Sequence, residues 1–503
     1  MRTGADYIES VRDGRKVWVL GEGLVDDITT HPATRAMVDV YATWYDRHRD
    51  PAWRDSLLTP DSQSEGSGYP LAFLVPKQPT DLELMGRSYA ATLFDSAGNL
   101  THTPAYGNLI ALGLQDTIRR VNLSKEEVEK AEAYAAGVRR EQHFVTLANG
   151  NAPLGFRFRE QPEERRSIRL VRETGAGLII SGKLSMHTSP AYAEEIYIAS
   201  AGGVMVNGRK ATMSIAVNAP GVTVVCRKIA ARHSNPFIAP LSSKFDELDG
   251  QVWLENVLVP WDHVFFTSDT SSPAGFAWLA WHQLYCWVAK AEFCLGLALA
   301  CADVMGLKEN PAMADLIVDM MVEVQKMRTA FVAAERDPQV TDCGEYYPNA
   351  LHLSAGSMTA FESRQRLTEI LRILPGSSLV MAPSDEDLAD SRTALSLEES
   401  FGGGGYTAAQ RAALLNLVWD HVSSGLDGRE SAFELHANGG RNAWRNRLRL
   451  TFKDYNELAN NALAHLQVAM PELDLTDLMK KPAPPRQSQA ALTAITPPTN
   501  PAS

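Results

Sequence analysis

The feature that most constrains the fold of this chain is a change in hydrophobic period, which occurs near residue 152 and again near residue 270. Outside these limits apolar residues recur at helical spacing, whereas between them β-branched runs such as EEIYIAS, TMSIAVN and GVTVVCR alternate with Gly, Asn and Pro. Short strands separated by turn residues indicate an antiparallel β unit. The order helix, strand, helix therefore predicts an α+β protein.

The same pattern predicts where the parts begin and end. We predict a mainly helical domain over residues 1–151, a β-barrel-like domain over 152–270 and a helical bundle over 271–475. Segments of the last part, such as AMADLIVDMMVEVQKMRTAFVAAE, are long and amphipathic and are joined by short loops, as antiparallel helices require. Residues 476–503 are rich in Pro, Ala, Ser and Thr, so they cannot offset the entropy of ordering, and we predict a disordered tail.

Composition and charge exclude several classes of protein. With 60 acidic and 48 basic residues among 503, the formal net charge is −12, which argues against nucleic acid as the main partner. The most apolar long run is interrupted by Lys290, Glu292 and Asp303, which are costly in a bilayer, so we predict no membrane span. The N-terminus lacks an apolar export core, and the five cysteines form no CxxC pair. We expect a reduced, cytoplasmic protein without a metal site.

Three stretches carry a resemblance to one family. The chain opens with RTGADYIESVRDGRKVWVLGEGLVDDITTHPATR, its centre contains APGVTVVCRKIAARHSNPFIAPLSSKFDELDGQVWLENVLVPWDHVFF, and the bundle begins with WHQLYCWVAKAEFCLGLALA. Together they resemble the 4-hydroxyphenylacetate 3-hydroxylase family, the oxygenase components of two-component, reduced-flavin-dependent aromatic monooxygenases. The likeness runs from about residue 2 to about residue 470.

The resemblance implies an acyl-CoA-dehydrogenase-like fold, assembled as a homotetramer. It also implies that a separate NAD(P)H-flavin reductase supplies reduced FAD, with FMN as the open alternative, and that O2 is the co-substrate. In such enzymes a flavin hydroperoxide transfers oxygen to an electron-rich aromatic ring, while the protein positions the reactants and excludes water. The expected substrate is therefore a small aromatic molecule, such as a phenol, an indole or a related ring.

The loop LTHTPAYGN, residues 100–108, resembles the family's substrate loop with changes. Tyr106 matches the family's substrate-contacting Tyr, but His102 stands where Arg is usual, and Leu147 stands where a substrate-binding His is common. Because His is a weaker, pH-dependent donor and Leu is apolar, we expect a less acidic or larger ring than 4-hydroxyphenylacetate. His143, one turn before Leu147, is a further candidate for substrate contact. The alternative is a tight proline turn with Tyr106 packed in the core.

The resemblance also indicates residues near the flavin ring. Thr188, in SMHTSPAYAEE, matches a family Thr at this place, with Ser185 and Ser189 as weaker candidates; a local hydrogen bond at a strand end is the alternative. His282, in WHQLY, stands where the family commonly carries a His close to the flavin, although a lone His on an apolar helix is typically a core residue. With His102 and Tyr106, His282 completes the candidate catalytic set.

Two further segments are candidates for binding the flavin phosphate. Gly376, Ser377 and Ser378 lie between bundle helices and offer backbone and hydroxyl donors, unless they form only a Gly-Ser turn. Arg429 matches the family, and its guanidinium can pair with phosphate or form an ion pair within the protein. The run LSSKFDELDG, residues 241–250, matches the family strongly, and we assign it to fold and subunit contacts.

Three competing functions stay open. A family member with altered chemistry would act as a ligand-binding protein, which the changed substrate loop allows. A 4-hydroxybutyryl-CoA dehydratase would need cluster-ligating cysteines in the first domain, and there is no Cys before Cys226. An acyl-CoA dehydrogenase would need a bundle carboxylate as base, and Glu398, Glu399 and Asp420 give no firm candidate.

Overall fold

The computed structural model describes residues 1–60, 68–148, 168–199, 203–230, 235–267, 272–436, 439–468 and 470–479. Residues Met1–Trp444 form one compact unit, and Arg445–Ser503 form a second. The predicted boundary near residue 151 and most of the predicted tail lie outside the described residues. The division into three domains therefore stays a prediction.

Helices dominate the beginning and the end of the chain. The helices before the strands are α1 (Gly4–Val11), α2 (Arg35–Arg47), α3 (Arg54–Leu57), α4 (Pro79–Asp95), α5 (Tyr106–Arg119) and α6 (Lys125–Glu141). Those after the strands are α7 (Pro273–Val304), α8 (Pro311–Arg336), α9 (Ala350–Ile373), α10 (Asp385–Ala389), α11 (Ala394–Phe401), α12 (Ala408–Val422), α13 (Gly425–His436), α14 (Gly440–Thr451), α15 (Tyr455–Leu463) and α16 (Thr476–Met479).

The strands form two main sheets. They are β1 (Val17–Val19), β2 (Gly23–Val25), β3 (Val145–Ala148), β4 (Arg169–Thr174), β5 (Gly177–Thr188), β6 (Glu195–Ile198), β7 (Val204–Val206), β8 (Arg209–Ala216), β9 (Val222–Cys226), β10 (Asp249–Pro260) and β11 (Val264–Thr267), with a separate short pair, β12 (Gln339–Val340) and β13 (Tyr346–Tyr347). One sheet has the order β2-β1-β9-β10-β5-β4, and the other has the order β11-β8-β6-β3 with β7 beside β8.

The strand pairings extend the sequence prediction. Between residues 168 and 267 the described strands pair antiparallel with one another, as in β10 with β5 and β9. Two parallel pairings are added by strands from the first part of the chain, β1 beside β9 and β3 beside β6. The period analysis missed these strands because three or four residues are too few to show an alternation.

The tail prediction began too early. Thr476–Met479 is the helix α16 rather than disordered chain. The segment before it is held within its own unit, because Leu473 N donates to Asn460 Oδ1 (2.8 Å) and Leu475 N donates to Asn456 Oδ1 (2.7 Å).

The long helix α7 is the centre of the bundle. It begins where Ser272 Oγ accepts the Gly275 N–H (2.8 Å), with Pro273 in the first turn, a combination that favours helix initiation. Among the described helices α7 alone is long and apolar enough to cross a membrane, but 67% of its apolar window is buried inside the protein. It contacts α4, α5, α8 and α9, which places His282 where the first helices meet the bundle.

Candidate active site

The predicted catalytic residues lie together where the loop before α5 meets α7. The His102 ring stacks on the Tyr106 ring with centroids 4.0 Å apart, and Tyr106 packs edge to face on His282 at 5.1 Å. Thr103 Oγ1 lies 3.0 Å from His282 Nε2, which ties the loop to the helix. The helix α5 begins at Tyr106, directly after this loop, and Tyr106 N donates to Thr103 O (2.9 Å) in the turn that joins them. Residues 180 positions apart in the sequence therefore form one cluster.

Both imidazoles of this cluster are neutral at physiological pH. Burial lowers the pKa of His282 to about 3. Burial, with the nearby His282, Arg429 and His187, lowers the pKa of His102 to about 3 as well. Burial raises the pKa of Tyr106 far above its usual range, so its hydroxyl keeps its proton. The expectation that His102 acts as a pH-dependent donor is corrected here, because a neutral imidazole neither replaces the charge of an arginine nor titrates near pH 7.

The tautomer of His102 follows from its neighbours. Thr146 Oγ1 donates its proton to Thr188 O (2.7 Å), so it can only accept from His102 Nδ1, which lies 3.1 Å away. His102 Nδ1 therefore carries the proton, and Nε2 keeps a lone pair that can accept a hydrogen bond. An acceptor beside the protonated Tyr106 hydroxyl suits a ligand that carries both a donor and an acceptor.

A buried carboxylate holds the substrate loop in place. Glu247 accepts hydrogen bonds from His102 N (3.0 Å), from Thr101 N (3.1 Å) and from the Thr101 hydroxyl. Its Oε1 also accepts from Ser189 Oγ (2.9 Å) and Tyr41 OH (3.0 Å). The hydroxyl of Ser189, a weak cofactor candidate, is thus committed to the protein. We assigned the segment of Glu247 to fold contacts, and the structure shows that this fold contact shapes the candidate site itself.

Thr188 and Arg429 both form hydrogen bonds to the carboxylate of Asp249. Thr188 Oγ1 donates to Asp249 Oδ1 (3.1 Å), so its lone pairs, not its proton, remain for a ligand. Arg429 forms a two-point pair with Asp249, with Nη2 to Oδ1 at 2.7 Å and Nε to Oδ2 at 2.9 Å, and Nη1 bonds Glu430. Its cation also lies 4.6 Å above the Phe433 ring. The alternative of an ion pair within the protein therefore describes Arg429, and its buried guanidinium is already neutralised.

The other predicted phosphate residues lie apart from this cluster. Gly376, Ser377 and Ser378 belong to a short 3-10 helix, Gly376–Leu379, after the end of α9. Gly376 and Ser377 are exposed, and within the described chain no hydrogen bond or ring contact joins them to the loop of His102. Their role in phosphate binding stays a prediction.

The predicted substrate residues in β3 and just before it lie in two environments. Leu147 packs against the apolar cluster that contains Tyr106, Ile110 and Tyr197, and its role as a substrate contact stays a prediction. His143 does not reach inward, because its Nδ1 faces Glu195 Oε1 at 3.6 Å. Burial lowers the pKa of His143, but the bond to Glu195 and the charges of Glu194 and Glu195 together outweigh burial, so the pKa is raised. We therefore withdraw His143 as a substrate contact.

Ser185, the other weak cofactor candidate, is half-buried on β5.

One functional candidate was missed by the sequence analysis. His187 is buried next to Thr188, and burial lowers its pKa to about 4. Its Nε2 has no hydrogen-bond partner in the described part of the chain, and the same is true of His282 Nδ1. Only its place before Thr188 in the strand marks His187 in the sequence, since burial of a polar residue depends on elements distant in the chain.

The carboxylates considered for an acyl-CoA dehydrogenase base do not fit that role. Asp420 is buried but accepts from Leu241 N (2.8 Å), Ser242 N (2.8 Å) and Ser242 Oγ (2.7 Å), so it holds a loop. Glu398 and Glu399 are exposed on α11. A base in a shielded site would need a buried carboxylate that is not already committed.

The polar groups of the cluster fit a planar, uncharged cofactor ring. His282 Nδ1 and His187 Nε2 are buried without partners among the described residues, and each such group costs roughly 1–3 kcal/mol. The surrounding imidazoles and hydroxyls are neutral, and the nearby arginine is paired with carboxylates. A flavin ring system, with an apolar body and a hydrogen-bonding edge, offers partners to such atoms without adding a charge that the site must balance.

Comparison with known proteins agrees with this geometry. Residues 3–266 match the family described as 4-hydroxyphenylacetate 3-hydroxylase N terminal, and residues 271–464 match the corresponding C-terminal family. The two matches cover most of the chain. The chain therefore belongs to the 4-hydroxyphenylacetate 3-hydroxylase family, and the resemblance found in the sequence is confirmed.

Individual relatives cover nearly the same length. The 4-hydroxyphenylacetate 3-monooxygenase oxygenase component of Thermus thermophilus is 28% identical over 446 residues, which are 86% of this chain and 91% of the relative. An FADH(2)-dependent monooxygenase of Burkholderia cepacia is 27% identical over 86% of each chain. Among solved structures, the oxygenase component of 4-hydroxyphenylacetate 3-monooxygenase complexed with FAD and 4-hydroxyphenylacetate matches with a TM-score of 0.82 and 25% identity, over 92% of this chain and 98% of that chain. The acyl-CoA-dehydrogenase-like fold is thereby confirmed.

Proposed function

We infer that this protein is the oxygenase component of a two-component, flavin-dependent aromatic monooxygenase that uses FAD and O2. The observation that carries the inference is the neutral cluster of His102, Tyr106 and His282 in a chain that belongs to this family. Bound reduced FAD supplies the oxygen-transfer chemistry. The residues of the chain bind and orient the aromatic ring, hold the protons of the site at defined atoms and exclude water.

We propose that the substrate is a neutral aromatic ring that carries an O–H or N–H group. His102 Nε2 accepts this hydrogen, and the Tyr106 hydroxyl donates to the oxygen of a phenol or to another acceptor atom on the ring. A free carboxylate on the substrate would need a positive charge, but in the described part of the cluster the guanidinium of Arg429 is paired with Asp249 and Glu430. Leu147, packed in the cluster of Tyr106, adds an apolar wall. Neutral phenols, indoles and larger rings therefore fit better than 4-hydroxyphenylacetate.

The proposal is tested by turnover of matched substrates. A flavin reductase supplies reduced FAD, and incorporation of labelled O2 into product is measured by mass spectrometry for neutral phenols, indoles and 4-hydroxyphenylacetate. We expect labelled product, with kcat/KM for the preferred neutral ring at least about tenfold above that for 4-hydroxyphenylacetate, since one lost charged contact costs about 1–3 kcal/mol. Rapid turnover of 4-hydroxyphenylacetate would refute the substrate assignment. Tight ligand binding without labelled product would instead favour the ligand-binding alternative.

We also propose that the protein acts as a homotetramer in the cytoplasm and receives reduced FAD from a separate NAD(P)H-flavin reductase. Support for the assembly comes from α8, where Val318, Met321, Val322 and Val332 are exposed although apolar. A partner subunit would remove this surface from water. Light scattering after size exclusion should then give four times the chain mass of 55.1 kDa; a mass equal to one chain would contradict the assembly.

A further inference from the structure

A buried carboxylate outside the candidate active site supports the helix turn that carries His282. Glu335, at the end of α8, is only 6% exposed. Its Oε1 accepts hydrogen bonds from Trp281 Nε1 (2.8 Å) and from Tyr285 OH (2.6 Å), both on α7. These donors come one residue before and three residues after His282, so a single oxygen atom links both ends of that turn.

Tyr89 of α4 packs against the turn that carries His282. Its ring packs edge to face on Trp281 and on His282, each at 5.1 Å, and on Tyr285 at 6.1 Å. One turn earlier, Gly86 allows close approach, because a Cβ there would lie 2.4 Å from Tyr285 OH and 2.6 Å from Glu335 Oε1. Three helices therefore meet at Glu335 with no spare volume, and a change at this carboxylate is transmitted to the ring of His282.

Within the described chain Glu335 forms no ion pair. The titratable or charged groups that act on it are Tyr285 on α7, Glu83 on α4 and Arg336 on α8. Arg336 is mostly exposed and pairs with Glu83 at 2.9 Å. Burial raises the pKa of Glu335 to about 7, although the bonds from Tyr285 and Trp281 oppose this rise. The carboxyl group therefore changes its charge near pH 7, and a charged acceptor binds its donors more strongly than a neutral one.

We propose that Glu335 is a positioning residue, which acts through Trp281 and Tyr285 to fix His282 against Thr103 in the active site. The proposal rests on the proposed function, since it concerns the reaction that His282 serves. The ionised carboxylate draws the two α7 donors toward α8 and holds the turn. The protonated carboxyl holds it more weakly, so His282 is less firmly placed on the acid side of pH 7.

The first test uses the full-length protein without cofactor. Exchange of the backbone amide hydrogens in the α7 segment that contains Trp281, His282 and Tyr285 is followed at pH 8 by mass spectrometry in the natural protein and in the variants Glu335→Gln and Glu335→Ala. We expect about tenfold faster exchange of this segment in Glu335→Ala, a smaller change in Glu335→Gln, and none in the control Glu83→Gln. If Glu335→Ala does not fold, Tyr285→Phe removes one of the two donors and should give a several-fold increase. Exchange at the natural rate in the folded variants would overturn the proposal.

The second test follows the pH profile of the reaction. In the natural protein the fraction of reduced FAD that yields oxygenated product, rather than hydrogen peroxide, should rise between pH 6 and pH 8, with a midpoint near the pKa of about 7 of Glu335. In Glu335→Gln the profile should be flat across this range, whereas in Glu83→Gln the rise should remain with its midpoint at lower pH, because the charge of Glu83 raises the pKa of Glu335. An unchanged profile in Glu335→Gln would contradict the inference. If the natural protein makes no product, the proposed function fails, while the exchange measurement still decides the role of Glu335.

Discussion

Replacing Tyr106 with Phe lowers formation of oxygenated product by about 10²-fold and diverts reduced flavin to hydrogen peroxide. The Phe ring can keep the packing against His102 and His282, so the variant loses only the hydroxyl. That hydroxyl is protonated, because burial raises its pKa, and within the described chain it makes no hydrogen bond. Removal of a single preorganised donor from an active site typically lowers kcat by about 10²–10³. The measurement is product and peroxide formed per reduced FAD consumed.

Tyr197→Phe is the matched control for the loss of a buried hydroxyl. Tyr197 lies in the same apolar cluster as Tyr106, but its hydroxyl is satisfied by Thr212 Oγ1 at 3.1 Å. The control should lose about 1 kcal/mol of stability and keep its product yield. If Tyr106→Phe keeps natural turnover and coupling, the loop is a tight proline turn with a packed tyrosine, and the substrate is held by other residues.

The parts of the site that sequence could predict are those that a local pattern marks. The loop around Tyr106 and the helix of His282 were each identified from their own stretch, and the structure brings them together. The protonation state of His102 was beyond the sequence, because it depends on burial and on Thr146, which lies on a distant strand. The sequence also left two roles open for Arg429, an ion pair within the protein and phosphate binding. It could not decide between them, because the partner Asp249 lies 180 residues away.

A similar limit applies to the fold. The change of period between helices and strands was clear because it extends over a hundred residues. The short strands β1 and β3, which pair parallel with β9 and β6, were not predicted because their three or four residues gain stability from partners elsewhere in the chain. The burial of Glu335 and of Glu247 could not be predicted either, because each side chain is covered by elements that are far apart in the sequence.

Replacing Lys290 with Met should lower the free energy of unfolding by about 3–5 kcal/mol, as expected when one partner of a buried ion pair is removed. Lys290 lies on α7, two turns after His282, and is 3% exposed. Its Nζ bonds Glu430 and also Glu434, the latter at 2.6 Å. Glu430 in turn bonds Arg429, which pairs with the Asp249 that holds Thr188. Loss of the lysine charge therefore leaves a buried acidic pair beneath the candidate cofactor residue.

Urea unfolding at two pH values separates this effect from a simple packing defect. Although burial raises the pKa of Glu430, Lys290 and Arg429 lower it to about 2, so in the natural protein its stabilising charge is lost only as pH falls from 4.5 toward 2. In Lys290→Met, Glu430 keeps only Arg429 and Glu434 keeps only Arg364, at 3.5 Å, so both carboxyl groups take up protons more readily in the folded state and the stability deficit should be larger at pH 8 than at pH 5. The triple variant Lys290→Met, Glu430→Gln, Glu434→Gln should recover much of the loss, because it removes the negative charges that Lys290 balanced. Lys308→Met, which removes an exposed partner of Asp303, should leave the free energy of unfolding nearly unchanged. A deficit that is independent of pH and is not recovered by the triple variant would assign the loss to packing rather than to charge.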